Sequence, residues 1–178
     1  MKDLPFFFQK PHDSLFQAKA IKYPFNTSQL GFEVELVAIM KNSTEPFGYA
    51  VGIDFTKRDI QSEAKKAGKP WESAKSFDKS GLLGPIVHAD SVGDLPECEI
   101  EFRQNGNVKQ FARISQMIWS IPELVAELKN QDFSVKEGDV IFTGTPAGVG
   151  LLSVGDQCIA TLRRGGEDIV PPLTFTVE

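Results

Sequence analysis

Gly31-Phe32-Glu33-Val34-Glu35-Leu36-Val37-Ala38-Ile39-Met40 is an apolar run with two carboxylates, one residue apart, at its head. Its length and branched side chains predict a buried strand. Successive side chains on a strand alternate faces, so Glu33 and Glu35 point the same way and converge on one spot. Like charges placed together out of water are costly, and either a cation or a shared proton must offset the repulsion. A divalent ion is one answer, and carboxylate oxygens select a hard one such as Mg²⁺, Mn²⁺ or Ca²⁺. The same spacing also describes two solvent-facing glutamates on an amphipathic strand. Spacing alone leaves both readings open.

Working outward, Phe47-Gly48-Tyr49-Ala50-Val51-Gly52-Ile53 predicts a partner strand that ends on Asp54, with Lys41 to Pro46 as a polar link. A polar acid at the end of an apolar strand is a frequent place for function. Upstream, Phe6-Phe7-Phe8-Gln9-Lys10-Pro11 predicts a short buried strand stopped by proline. Two helices are predicted. One opens on a capping box from Thr56 to Asp59, runs to about Ala67 and stops at Gly68; the other opens on Ser120-Ile121-Pro122-Glu123 and runs to about Asn130. Glu99 to Arg103 alternates, Asn105-Gly106 signals a type I′ turn, and Asn107 to Phe111 is the return strand. Val140 to Thr143, Cys158 to Leu162 and Leu173 to Val177 add further strands. The predicted class is β-rich α+β with a few short helices, without the strand–helix alternation of a dinucleotide-binding fold.

The chain's 178 residues are enough to bury a core and fit one domain spanning 1–178. Net charge is −5 and the basic residues are scattered, which argues against nucleic acid. No apolar stretch reaches the roughly 18 residues of a membrane span, and the start reads as no secretory signal, so the expected location is cytoplasmic. Cys98 and Cys158 stand apart from any metal-ligand spacing and are read as free structural thiols. His12 and His88 are isolated, so a metal site here has to be built on carboxylates.

Asp54 can join Glu35 across the short link, so three carboxylates can face one point. Lys75, in Ala74-Lys75-Ser76-Phe77-Asp78, can bring a cation there, although a solvated surface lysine is the plainer reading of its spacing. Thr143-Gly144-Thr145-Pro146-Ala147-Gly148-Val149-Gly150 lacks the lysine and spacing of a P-loop. It reads either as a tight turn or as a loop offering N–H groups and a threonine hydroxyl to an anionic substrate.

Taken in order, these stretches, with Arg58-Asp59-Ile60-Gln61, Gly68-Lys69-Pro70-Trp71 and Met117-Ile118-Trp119-Ser120-Ile121-Pro122, resemble the fumarylacetoacetate hydrolase superfamily. The resemblance runs from Leu4 to the C-terminus, nearest to the fumarylpyruvate and acylpyruvate hydrolase branch. It implies the family's C-terminal-domain-like mixed β-roll or barrel and commonly a homodimer. It also implies Mg²⁺ or Mn²⁺ on Glu33, Glu35 and Asp54, a catalytic and substrate-contacting Lys75, and substrate contacts from Gln61 and Thr145. The implied substrates are small 2-oxo or 2,4-dioxo acids, cleaved between carbons. Such an acid chelates an ion through two oxygens, which suits the donor set independently of the family name.

The resemblance also implies a histidine–glutamate pair on an N-terminal lid upstream of Phe6, for which this sequence has no counterpart. Relatives usually carry histidine where this chain has Gly31 and Phe32, and a longer segment between Met40 and Phe47. A shortened sequence is the expected explanation, with His12 a candidate substitute base. Decarboxylation or tautomerisation of a 2-oxo acid is the enzymatic alternative, and a non-catalytic metal-binding module the other. His88 is expected to be structural, and Trp71 and Trp119 are expected to pack.

Overall fold

The run from Val34 to Met40 folds as a strand in which every residue is buried, because it lies between two neighbouring strands and has both faces covered. The computed structural model describes residues 3–178; Met1 and Lys2, part of the start read above for a signal, lie outside the described residues. In chain order the strands before the first helix are β1 Leu15–Phe16, β2 Ala20–Ile21, β3 Leu30–Phe32, β4 Val34–Met40, β5 Pro46–Asp54 and β6 Thr56–Lys57. Then come α1 Arg58–Lys66, α2 Glu72–Lys75, β7 Gly81–Leu83, β8 Val87–His88, α3 Ala89–Val92, β9 Glu99–Gln104 and β10 Asn107–Arg113. The chain closes with α4 Ile121–Asn130, β11 Val140–Phe142, β12 Gly150–Leu151, β13 Gln157–Arg164, β14 Glu167–Asp168 and β15 Leu173–Val177.

Three sheets result, with strand orders β1-β7-β5-β4-β11, β10-β9-β13-β15-β2 and β12-β3-β6; β8 adds to β5 and β14 to β13. Pairing is mixed: β1 with β7 and β15 with β2 run parallel, the other pairs antiparallel. Phe32 from the small sheet packs on Phe102 of β9 with ring centroids 4.4 Å apart, and Phe55 meets Phe175 of β15 edge-on at 5.9 Å. These rings lie in one buried core that joins all three sheets. The β-rich α+β class with short helices therefore holds.

The link from Lys41 to Glu45 turns tightly because Asn42 Oδ1 accepts from the N–H groups of Thr44 and Glu45, each at 2.9 Å. That turn sets the register in which Glu35 faces Gly52, while the Asp54 N–H donates to Glu33 O at 2.9 Å. Gly52 has no room for a side chain, since a Cβ there would lie 2.7 Å from both Phe142 and Val37.

The Asn105-Gly106 hairpin forms with both residues at positive φ, +52° and +80°, as a type I′ turn demands. The Ser120 box forms too: Ser120 N–H donates to Glu123 Oε2 at 2.7 Å. Two expectations fail. Phe6 to Pro11 joins no sheet, and Phe6 and Phe8 are exposed; the segment is held by its side chains and by Ser76 Oγ donating to Gln9 O. Thr56 pairs within β6 opposite Gly31, so the first helix starts at Arg58 and the Thr56–Asp59 box does not form. Asp59 instead accepts from Thr27 Oγ1 and Ser28 N, and so ties the segment before β3 to the helix start. No helix among the described residues is long and apolar enough to cross a membrane.

Cys98 and Cys158 are free and buried. Burial, then the charge of Asp156, pushes the Cys158 thiol up to about 12. Asp156 itself clamps the second sheet, accepting from Ser153 N at 2.7 Å, Gln104 Nε2 at 2.5 Å and Asn105 Nδ2 at 2.7 Å. Burial raises its pKa, but these bonds outweigh that and hold it below the usual carboxylate value. Replacing Asp156 by Ala is expected to cost about 2–4 kcal/mol in urea unfolding at pH 7. A depressed carboxylate stabilises the fold above its unfolded pKa of about 3.9, so the gap between variant and parent should close as pH falls below that value.

Candidate active site

Glu33 lies between β3 and β4, where the chain leaves the small sheet and enters the large one. This places its side chain beside Glu35 and opposite Asp54, and one oxygen from each of the three lies within 4.8 Å of the others. All three are buried, with Asp54 only 2% exposed. Hard oxygen donors converging from two adjacent strands fit a divalent cation of the Mg²⁺ type.

The helices bring the cations. Lys75, the last residue of α2, is 3% exposed and spans two acids, donating to Glu33 Oε2 at 2.7 Å and Asp54 Oδ2 at 2.6 Å. The plainer reading, a surface lysine, is thereby set aside. The ring of Phe8 lies 5.0 Å from the same ammonium. Arg58, the first residue of α1, donates from Nη2 to Glu33 Oε1 at 2.5 Å and from Nη1 to Gln61 Oε1 at 3.1 Å. Gly31 leaves the space for it, because a Cβ there would lie 2.7 Å from Arg58 Nε. Lys10 reaches in from the N-terminal segment, 2.8 Å from Asp54 Oδ1, and also donates to the Lys75 carbonyl and to Ser80 Oγ. Burial lowers the Lys10 pKa against the pull of Asp54.

Among the described residues no cation bonds to Glu35; it accepts the Gly144 N–H at 2.6 Å. Burial, then the charges of Asp54 and Glu33, pushes it up to about 8 despite that bond and Lys75. The molecule thus meets the repulsion between its acids in two ways: cations on Glu33 and Asp54, and a proton on Glu35 at neutral pH. The glycine-rich loop spends its Gly144 N–H on Glu35, so that group is not free for a ligand. Thr145 Oγ1 donates to Val34 O at 2.9 Å and accepts from Gln110 Nε2 at 2.8 Å.

Glu33, Glu35, Asp54 and Lys75 come together as one cluster, Gln61 joins it through Arg58, and Thr145 joins through the Val34 backbone. His12 sits exposed in a single 3₁₀ turn, and His88 is exposed beside Asp90 at 3.4 Å. Neither histidine is among the partners of the three acids. Trp71 packs half-buried on Phe6, with ring centroids 5.2 Å apart, and carries Lys65 over its face. Reasoning from the sequence passed over three residues: Lys10, Arg58 and Gln110. Arg58 could have been found by its spacing, since it precedes Gln61 by one turn of a helix that starts four residues after Asp54.

The fumarylacetoacetate (FAA) hydrolase C-terminal family model matches residues 1–171. The chain belongs to this family. Among family members, it is 34% identical to a fumarylpyruvate hydrolase of Ralstonia sp over 89% of this chain and 87% of that protein. It is 37% identical to the oxaloacetate tautomerase YcgM of Escherichia coli over 88% of this chain and 77% of that protein. The crystal structure of the fumarylpyruvate hydrolase from Pseudomonas aeruginosa, in complex with Mn²⁺ and pyruvate, superposes with a TM-score of 0.89 at 33% identity. It covers 99% of this chain and 79% of that one. The FAA hydrolase C-terminal fold is the β-rich architecture described above.

Removing Lys75 leaves two buried carboxylates facing each other. Lys75→Met is expected to destabilise the chain by about 3–5 kcal/mol in urea unfolding with EDTA present. Adding Asp54→Asn to that variant should recover part of the loss; a double variant no more stable than Lys75→Met alone would show that repulsion is not the cause.

Proposed function

We propose that this chain is a divalent-metal-dependent hydrolase that cleaves a carbon–carbon bond in 2,4-dioxo acids, fumarylpyruvate first among them, to give pyruvate and a second acid. The observation that carries the reading is the buried Glu33, Glu35 and Asp54 cluster with Lys75 lodged in it. Oxygen-only donors suit Mg²⁺ or Mn²⁺, with Ca²⁺ a possible substitute. The Pseudomonas relative with Mn²⁺ and pyruvate, and the Ralstonia relative named for fumarylpyruvate, support both the ion and the substrate class. Bound by the three carboxylates, the ion would supply Lewis-acid polarisation of the 2-oxo acid's oxygens.

The chain's own side chains would orient the substrate and neutralise charge. Gln61 Oε1 is engaged by Arg58, which leaves its amide N–H groups to donate to a substrate oxygen. Lys75 Nζ would face the negative charge that develops as the bond breaks, in a site dry enough to strengthen that attraction. Thr145 gives its proton to Val34 O and accepts from Gln110 Nε2, which leaves its second lone pair for a donor such as the hydroxyl of an enolised substrate. In the reaction water adds to the carbonyl at C4, the C3–C4 bond breaks with its electrons passing to C3, and C3 takes a proton to complete pyruvate. A homodimer, which the family resemblance implies, belongs to the same proposal, as does the cytoplasmic location expected from the sequence.

The Escherichia coli relative supports a second reading, tautomerisation of oxaloacetate. Moving a proton between C3 and the C2 oxygen needs a group that accepts and returns it, but no activated water. The E. coli relative carries the tautomerase name. Decarboxylation of the same acid would use the same polarised carbonyl.

Ultraviolet absorbance of fumarylpyruvate and acetylpyruvate should decay with Mg²⁺ or Mn²⁺ and release pyruvate, and EDTA or Glu33→Gln should abolish it. Enol–keto relaxation of oxaloacetate without pyruvate release from either dioxo acid would select the second reading. Because Glu35 holds a proton up to about pH 8 in the metal-free chain, the ion has to displace it. Mn²⁺ affinity should therefore rise with pH and level off above about 8, with release of a proton in calorimetry.

A further inference from the structure

The return strand of the Asn105-Gly106 hairpin carries one residue more than its partner. Asn107 and Val108 pair with Gln104 and Arg103; the register then slips past Lys109, and Gln110 pairs with Phe102. Residues directly opposite share a face of the sheet. Phe102 points into the core, so an unbroken ladder would turn Lys109 inward, whereas the bulge turns Gln110 inward instead, where it is 1% exposed. A buried amide is tolerated only when its polar groups are paired.

Those of Gln110 are paired, and their partners belong to the candidate active site. Oε1 accepts from the Val34 N–H at 2.9 Å; Nε2 donates to Thr145 Oγ1 and to Pro146 O, each at 2.8 Å. The orientation of the amide follows from the partners, since a backbone N–H has only a proton to give and a carbonyl only lone pairs. Val34 separates the two glutamates, at the point where the chain passes from one sheet to the other. Thr145 and Pro146 belong to the loop whose Gly144 N–H holds Glu35. The same bulge touches this loop again, because a Cβ on Gly148 would lie 2.1 Å from Lys109 O.

We propose that Gln110 is a positioning residue: its buried amide sets the spacing between the Glu33–Glu35 stretch and the Gly144–Pro146 loop, and so holds Glu35 and Thr145 in place for ion and substrate. The consequence for the ion rests on the metal-site reading above; the docking of the loop does not.

The test compares the parent chain with Gln110→Met, close in shape and without hydrogen-bonding groups. Asp156→Asn, which disturbs hydrogen bonds to Gln104 and Asn105 of the same hairpin and to Ser153 but touches neither Val34 nor residues 143–148, is the control. Hydrogen–deuterium exchange over residues 143–148, in EDTA, should quicken by about tenfold in Gln110→Met and stay at the parent rate in the control. Mn²⁺ affinity, read from the free-ion paramagnetic resonance signal, should weaken by about 10- to 100-fold in Gln110→Met alone. If the methionine variant does not fold, Gln110→Asn replaces it; an amide one methylene shorter cannot span the Val34 N–H and Pro146 O together, and should show the same quickening. Parent-like loop exchange in the Gln110 variant overturns the proposal, and so does quickening matched by Asp156→Asn. Quickened exchange with parent-like Mn²⁺ affinity also overturns it, reducing Gln110 to a structural strut. A parent chain that binds no Mn²⁺ overturns the metal reading instead, and loop exchange alone then decides for or against Gln110.

Discussion

Three carboxylates buried within reach of one another are the constraint around which the rest of this structure is arranged. Taken alone they would not stay ionised in a core, since the cost of desolvation and mutual repulsion exceeds what the apolar contacts around them return. Lys75 and Arg58 answer that cost from two helices, Lys10 from the N-terminal segment, and a proton from Glu35 itself. Each solution fixes a neighbour. Arg58 orients Gln61, Lys10 ties the N-terminal segment to the carbonyl of Lys75 and to Ser80, and Glu35 anchors the loop at Gly144.

The break in the strand at Glu33 makes this possible. A continuous strand would carry both glutamates on one face and use every backbone N–H and C=O in its ladder. Here the chain changes sheets at Glu33, so the Asp54 N–H pairs across to Glu33 O while Val34 turns to Gln110 and Thr145. Side-chain amide and hydroxyl groups thus complete the accounting of backbone polar groups where ladders leave off. That exchange joins the hairpin of the second sheet to the acidic strand of the first.

The short segments are as informative as the long strands. Phe6 to Pro11 reads as a strand because it is apolar and ends in proline, yet it forms none. Its anchor is Lys10, whose charge is drawn to Asp54, while Phe8 lies against the Lys75 ammonium and Phe6 packs on Trp71. Thr56 and Asp59 have the spacing of a helix cap, but pairing between Thr56 and Gly31 outcompetes the cap, and Asp59 serves Thr27 and Ser28 instead. In both cases a tertiary contact took a group that local chemistry had assigned to a neighbour in sequence.

Much of the fold was legible in the chain because its signals are local. The apolar run from Val34 to Met40, the Asn-Gly turn, the Ser120 box and the terminal strand each depend on residues within a few positions of one another. The sequence by itself also determined which groups were available: carboxylates at Glu33, Glu35 and Asp54, with the two histidines and two cysteines far apart along the chain. Only the tertiary structure decided how those charges are balanced. Lys75 was ambiguous until α2 folded over the strand ends, and Arg58 became a partner of Glu33 because Gly31 left it room. Gln110 faces the core because of a bulge that no periodicity announces. Pairing across long separations depends on register and on what neighbouring sheets leave open, and those are properties of packing, not of spacing along the chain.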